Sequence, residues 1–294
     1  MKKAQAEVTL AFKSHDVLGE GSIWNEVTQE LYWIDIEGGV LHIFHPQKNH
    51  HQSFSLGQRV GTVVPSDNGK IILALQDGLY EFDPFTQQKK FIASADYDPA
   101  SMRFNDGKCD PAGRLWVGTM HLGILPKVAA LYKVEKGVVV KMLDKITISN
   151  GICWTGDGKT MYYIDTPTSS VQAFDFDLAK GLLFNSRVVV ETKKEFDPPD
   201  GMTIDAEGML WIGHWKGSCV GRWNPRTGKL ISKIEVPAYH VTSCAFGGKD
   251  LDTLYITTAK IEVSPEQKIQ YPLAGCLFQV KPGVKGVKSF FYKY

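Results

Sequence analysis

One short phrase recurs six times along this chain: a turn built on Asp, Asn or Gly, followed by a strand of branched and aromatic residues. Clear copies are Asp110-Pro111-Ala112-Gly113-Arg114-Leu115-Trp116-Val117 and Asp205-Ala206-Glu207-Gly208-Met209-Leu210-Trp211-Ile212. Anchored on Leu31, Ile71, Leu115, Met161, Leu210 and Leu254, the copies are spaced by 40, 44, 46, 49 and 44 residues. That period is the length of a four-stranded blade, a unit that can bury its faces only by stacking on copies of itself. A second phrase follows each anchor, as in Leu79-Tyr80-Glu81-Phe82 and Leu131-Tyr132-Lys133-Val134, with the period-two alternation of a strand. The pattern predicts an all-β, six-bladed β-propeller, with residues 1–294 as one domain. Residues 6–13 precede the first copy with nothing local to pair with, so they are predicted to complete the last blade and close the ring. Residues 118–130 and 257–276 are longer excursions and are predicted as rim loops.

Composition narrows the class of function. Lys and Arg number 33 against 32 Asp and Glu, leaving a net charge of +1, so no basic face is available to collect phosphates and nucleic acid is set aside as a partner. Met1-Lys2-Lys3 runs into Ala4-Gln5-Ala6-Glu7 without an apolar segment, so no secretion signal is expected, and no apolar run is long enough for a membrane helix. Five cysteines, odd in number, widely spaced and without a Cys-x-x-Cys pair, suit buried free thiols in a reducing compartment. A cytoplasmic protein is expected, with no helix of ordinary length.

Chemistry enters at one register of the repeat, about ten residues ahead of each anchor, where the innermost strand of a blade begins. Glu20, Arg59, Asn105, Asn150 and Asp200 stand there, and His240, Thr242 and Ser243 are their equivalents in the sixth copy. Asn-Gly and Asp-Gly are ordinary turn dipeptides, but turns give no reason for polar residues to recur at one offset from the strand anchor. Glycine after the polar residue is expected to let the backbone turn into the channel. Two carboxylates with amide oxygens around a channel suit a hard divalent cation such as Ca²⁺, Mg²⁺ or Mn²⁺. Without one, burying Glu20 beside Asp200 would cost several kcal/mol or force a proton onto one of them. Zinc held by Cys or His fits less well, because His50 and His51 read as a loop between copies and His121 and His214 stand alone.

Five phrases resemble the SMP-30/gluconolactonase/regucalcin family: Gly19-Glu20-Gly21-Ser22-Ile23-Trp24, Arg103-Phe104-Asn105-Asp106-Gly107, Gly118-Thr119-Met120, Ser149-Asn150-Gly151 and Pro199-Asp200-Gly201. The resemblance implies one divalent metal ion (Ca²⁺, Zn²⁺, Mn²⁺ or Mg²⁺) held by Glu20, Asn150 and Asp200, with Arg103 and Asn105 on the substrate's oxygens. It implies metal-dependent hydrolysis of a small sugar lactone to the aldonic acid. Water would be the nucleophile and Asp200 its general base as well as a ligand, while Arg103 would orient the substrate through charge-assisted hydrogen bonds. The plainer expectation for Arg103 is an ion pair with Asp106. The chain departs from relatives such as regucalcin after Gly-Thr-Met, where it reads His121-Leu122-Gly123-Ile124-Leu125-Pro126 in place of acidic residues. A less hydroxylated or differently shaped lactone follows from that departure. The same residues would serve a non-enzymatic cation-binding regulator or an ester or phosphotriester hydrolase on the same scaffold. A scaffold of the WD40 kind lacks its Gly-His and Trp-Asp signatures here.

Overall fold

A computed structural model describes residues 7–192, 196 and 198–294. Among these, the strands form six four-stranded antiparallel sheets, each made of consecutive strands except the last. Blade 1 comprises Gly19–Asn25, Glu30–Asp35, Val40–His45 and His50–Ser55. Blade 2 comprises Val60–Pro65, Ile71–Leu75, Gly78–Phe82 and Lys89–Ala93. Blade 3 runs through Met102–Cys109, Leu115–His121, Ala129–Glu135 and Val138–Ile146, and blade 4 through Ser149–Trp154, Thr160–Asp165, Ser170–Asp177 and Leu182–Glu191. Blade 5 holds Pro199–Ile204, Leu210–His214, Cys219–Asn224 and Lys229–Glu235. Blade 6 combines His240–Gly247, Thr253–Ala259 and Leu277–Val280 with the N-terminal strand Thr9–Phe12, which pairs antiparallel with Leu277–Val280. The chain is a six-bladed β-propeller closed by its own first strand. Residue 6, assigned to that strand from the sequence, lies outside the described residues.

Every anchor sits on the second strand of its blade, and the recurring turn explains why. In Asp110 one carboxylate oxygen accepts the backbone N–H groups of Ala112 and Arg114, while the other accepts Trp116 Nε1 at 2.9 Å and Arg114 Nε at 2.7 Å. Asp205 repeats this with Glu207, Met209, Trp211 and Arg222. The turn aspartate thus satisfies the tight turn's donors and the buried indole of the next strand together, and a buried carboxylate is tolerated when it is bonded this fully. The first strands are buried along nearly their whole length, because neighbouring first strands pack side by side around the axis and the sixth meets the first. Outer strands such as Leu182–Glu191 face solvent.

The C-terminal segment crosses the far face of the ring. Tyr292 bridges to Ser66, Gly286 bridges to Asp205, and Lys293 N–H donates to Gly113 O. Residues Val287 to Phe290 cover a small cavity of about 50 Å³ at that end of the channel, beside Lys108, Cys153 and Thr203. Three expectations need correction. His50 and His51 are not in a loop but begin the outer strand of blade 1, where His51 stacks on Phe12 of the closing strand. The excursions are shorter than read from sequence, because the second strands continue to His121 and Ala259. The later excursion also folds a helix, Pro265–Gln270, capped by Ser264.

Candidate functional site

All five sequence-assigned residues, Glu20, Arg103, Asn105, Asn150 and Asp200, line one cavity of about 380 Å³ at the near end of the channel. Each is buried. A local irregularity places them. The register of every first strand shifts at this level: between Glu20 and Ile23, Val60 and Thr62, Phe104 and Gly107, Asn150 and Ile152, Pro199 and Met202, and Val241 and Cys244. A bulge re-aims a side chain that a regular strand would direct into the sheet stack. The dipeptides that resemble turns are therefore bulges. Their glycines serve close packing as much as turning: Gly21 has φ +62, whereas a Cβ on Gly151 would lie 2.6 Å from Met202 Cβ and 2.8 Å from Asp200 O.

One hydrogen-bonded chain orders the amides. Arg103 Nη1 donates to Asn105 Oδ1 at 2.5 Å and to Phe104 O at 3.0 Å. Asn105 Nδ2 donates to Ser149 O at 2.6 Å and to Asn150 Oδ1 at 2.9 Å. Asn150 Nδ2 donates to Thr166 Oγ1 at 2.7 Å, and that hydroxyl donates to Pro199 O beside Asp200. The amide of Asn150 is thereby fixed with Oδ1 as its acceptor end. Asn105 is largely committed to this chain, so its part in positioning is plainer than any direct contact with substrate. The ion pair of Arg103 with Asp106 is not formed among the described residues; Arg103 Nε and Nη2 make no hydrogen bond there. Burial holds the Arg103 guanidinium down at about 10, against the charges of Glu37 and Glu20 that raise it.

The carboxyls are in tension. Burial first, then the charge of Asp106, raises Glu20 to about 8, and burial together with Glu20 and Asp106 pushes Asp200 well above the usual range. Asp200 and Glu20 face each other closely enough that a proton on one would be shared with the other. Asp106, raised chiefly by burial, spends one oxygen on Gly107 N–H and leaves Oδ2 buried without a partner. Charge repulsion inside a desolvated site is relieved either by protons or by a cation. Among the described residues no three His, Cys, Asp or Glu side chains gather at one point. The donor set is instead two carboxyls and an oriented amide oxygen, all hard oxygen donors, and these fit a divalent cation. In blade 6, Thr242 Oγ1 donates to Gly19 O and ties the ring shut, Ser243 N–H donates to Thr257 Oγ1, and the cavity lining holds Glu262 of this blade rather than His240, Thr242 or Ser243. Arg59 stands at the rim, paired with Glu37 at 2.8 Å. Sequence reading passed over Thr166, which stands five residues after its anchor Met161, as Ile36, Met120 and Trp215 stand after theirs; all four line the cavity.

A six-bladed propeller with carboxyls, amides and an arginine converging on one axial pocket defines the class. The chain belongs to the family described as SMP-30/Gluconolactonase/LRE-like region, whose profile matches residues 18–260. It is 38% identical over 276 residues to YvrE of Bacillus subtilis strain 168, provisionally named a sugar lactone lactonase, covering 94% of each chain. It is 38% identical over 290 residues to regucalcin of Danio rerio, covering 97% of this chain and 98% of that one. The crystal structure of regucalcin from Agrobacterium tumefaciens strain C58, described as a calcium-binding protein, superposes with a TM-score of 0.93 at 28% identity, covering 99% and 98% of the two chains.

Proposed function

We propose that the chain, acting as one propeller unit, is a divalent-metal-dependent lactonase that opens a small sugar lactone to the aldonic acid. The observation that carries this reading is the convergence of Glu20, Asp200, oriented Asn150 and unpaired Arg103 nitrogens on one 380 Å³ cavity, in a member of this family. Glu20, Asn150 and Asp200 would hold the ion. When bound, a divalent cation supplies Lewis-acid polarisation of the carbonyl and keeps both carboxyls ionised. Asp200, ionised, takes the proton of the attacking water. Arg103 turns its free N–H groups to the substrate's oxygens and balances the negative charge that develops as the ring carbonyl becomes tetrahedral. Asn105 holds both Arg103 and Asn150 in place.

Buried thiols fit a reducing compartment: Cys109, Cys153, Cys244 and Cys276 are buried in the propeller, and burial raises each thiol above its ordinary range. Among the described residues no helix is long and apolar enough to cross a membrane. A cytoplasmic location is proposed from the four buried thiols. The test is acid release from D-glucono-δ-lactone in weak buffer, with metal-replete and exhaustively chelated protein and direct metal analysis. Full activity in metal-free protein would overturn the cation's role, whereas metal binding without hydrolysis would favour a regulatory cation-binding propeller.

A further inference from the structure

Above its polar floor the pocket has a collar of a different chemistry. Ile36, Met120 and Trp215 occupy one register of the repeat, and Ile148 stands two residues ahead of Asn150 along the chain. The loop after the second strand of blade 3 adds Leu122 and Ile124. The charged groups above the floor lie on the side of blades 1, 2 and 6: Arg59 paired with Glu37, and Glu262 in the loop after the second strand of blade 6. On the side of blades 3 and 4 the lining is Met120, Leu122, Ile124 and Ile148 together with Thr166, whose hydroxyl is taken up by Asn150 Nδ2 and Pro199 O.

Ile124 gives an independent reason to take the apolar side as functional. It has φ +54, a left-handed conformation that β-branched residues avoid, and its side chain is half exposed. The loop enforces this: Ile124 N–H donates to His121 O, Leu122 N–H to Ser101 O, and Lys127 N–H to Thr147 Oγ1. Asn or Gly would fit the backbone without strain, and either would lose the apolar contact. Strain retained at a pocket rim points to a use for the side chain held there.

We propose, resting on the lactonase reading above, that the substrate is a deoxy-sugar lactone: ring hydroxyls toward the floor and the Arg59–Glu37 side, and a methyl in place of the hydroxymethyl group against Leu122, Ile124 and Ile148. A hydroxyl turned to that wall loses its water and gains no partner, which costs about tenfold to a hundredfold in specificity.

The experiment compares kcat/KM for D-glucono-δ-lactone and its 6-deoxy analogue, in the metal-replete wild type and in Ile124→Asn and Leu122→Asn/Ile124→Asn. A preference of about tenfold or more for the deoxy lactone is expected, expressed mainly in KM. It should collapse toward unity in the double variant, while the Tm of Ile124→Asn stays level or rises because strain is relieved. Equal or reversed preference in the wild type overturns the inference and leaves the lactonase reading standing, as does a preference the variants do not change. Turnover of neither lactone sinks the lactonase reading, and this inference with it.

Discussion

Removing divalent ions should make the fold lose stability as pH rises, and the sign follows from the buried carboxyls. Glu20 is raised from 4.5 to about 8 in the folded chain, so between those values the folded state holds a proton that the unfolded state releases. Stability from that proton is full below pH 4.5 and is lost as pH climbs through 8. At about 1.36 kcal/mol per unit the whole span is worth roughly 5 kcal/mol. Two histidines act oppositely at lower pH: burial depresses His51 and His240 from 6.5 to about 4, so their contribution is full above 6.5 and lost as pH falls. The window from pH 6.5 to 8 therefore isolates the carboxyls. There the Glu20–Asp200 pair together should account for about 2 kcal/mol, or roughly 4 °C in Tm for a chain of this size. The assay is thermal unfolding in chelator across that window, for wild type and Glu20→Gln, repeated with saturating cation. The wild type in chelator should fall, Glu20→Gln should fall less, and a cation at a hundred times its Kd should add about 2.7 kcal/mol. A wild-type Tm in chelator that is flat or rising from pH 6.5 to 8, and indifferent to cation, refutes the placement of ionisable carboxyls around a cation site.

Asp200→Asn keeps an oxygen donor but removes charge and basicity, so hydrolysis should fall by about 10² to 10⁴-fold with some bound metal retained; Asn150→Ala should instead recover rate as metal is titrated, and the comparison is rate against directly measured occupancy. If saturated Asp200→Asn runs near the wild-type rate, Asp200 is a ligand only. Asp110→Ala strips a buried carboxylate from Arg114, Trp116 and two turn N–H groups and should cost about 3–5 kcal/mol in denaturant unfolding; Asp157→Ala, in the exposed equivalent turn of blade 4, should cost far less. Gly151→Ala drives a Cβ against Met202 and Asp200 O and should cost about 1–3 kcal/mol together with metal affinity, read by calorimetric titration; unchanged affinity would show that Asp200 tolerates a shifted strand.

Much of the architecture was legible before any coordinates, because a repeat of blade length admits few solutions. The anchors Leu31, Ile71, Leu115, Met161, Leu210 and Leu254 all fall on second strands, and the unpaired residues before the first copy close the ring. The register ahead of the anchors also brought Glu20, Asn105, Asn150 and Asp200 into one cavity, since equivalent positions of stacked blades must meet on the axis, and Arg103, singled out by its resemblance phrase, joins them two residues ahead of Asn105. Periodicity could not say which polar residues are spent on the scaffold. Thr242 and Ser243 share the register but close the ring, Arg59 stops at the rim with Glu37, and Asn105 is taken up by its neighbours' amides.

What the sequence determined by itself is everything that repeats: blade number, strand order, the turn aspartates and the level of the polar layer, all of which follow from local pattern and stacking. What only the tertiary structure decided is everything that breaks the repeat. The bulge that re-aims each site residue, the contact between Glu20 and Asp200 across the axis, the left-handed Ile124 over the mouth, and the C-terminal segment covering the far end each depend on residues distant in the chain meeting at one place. Distances of that kind arise from packing and leave no period in the sequence.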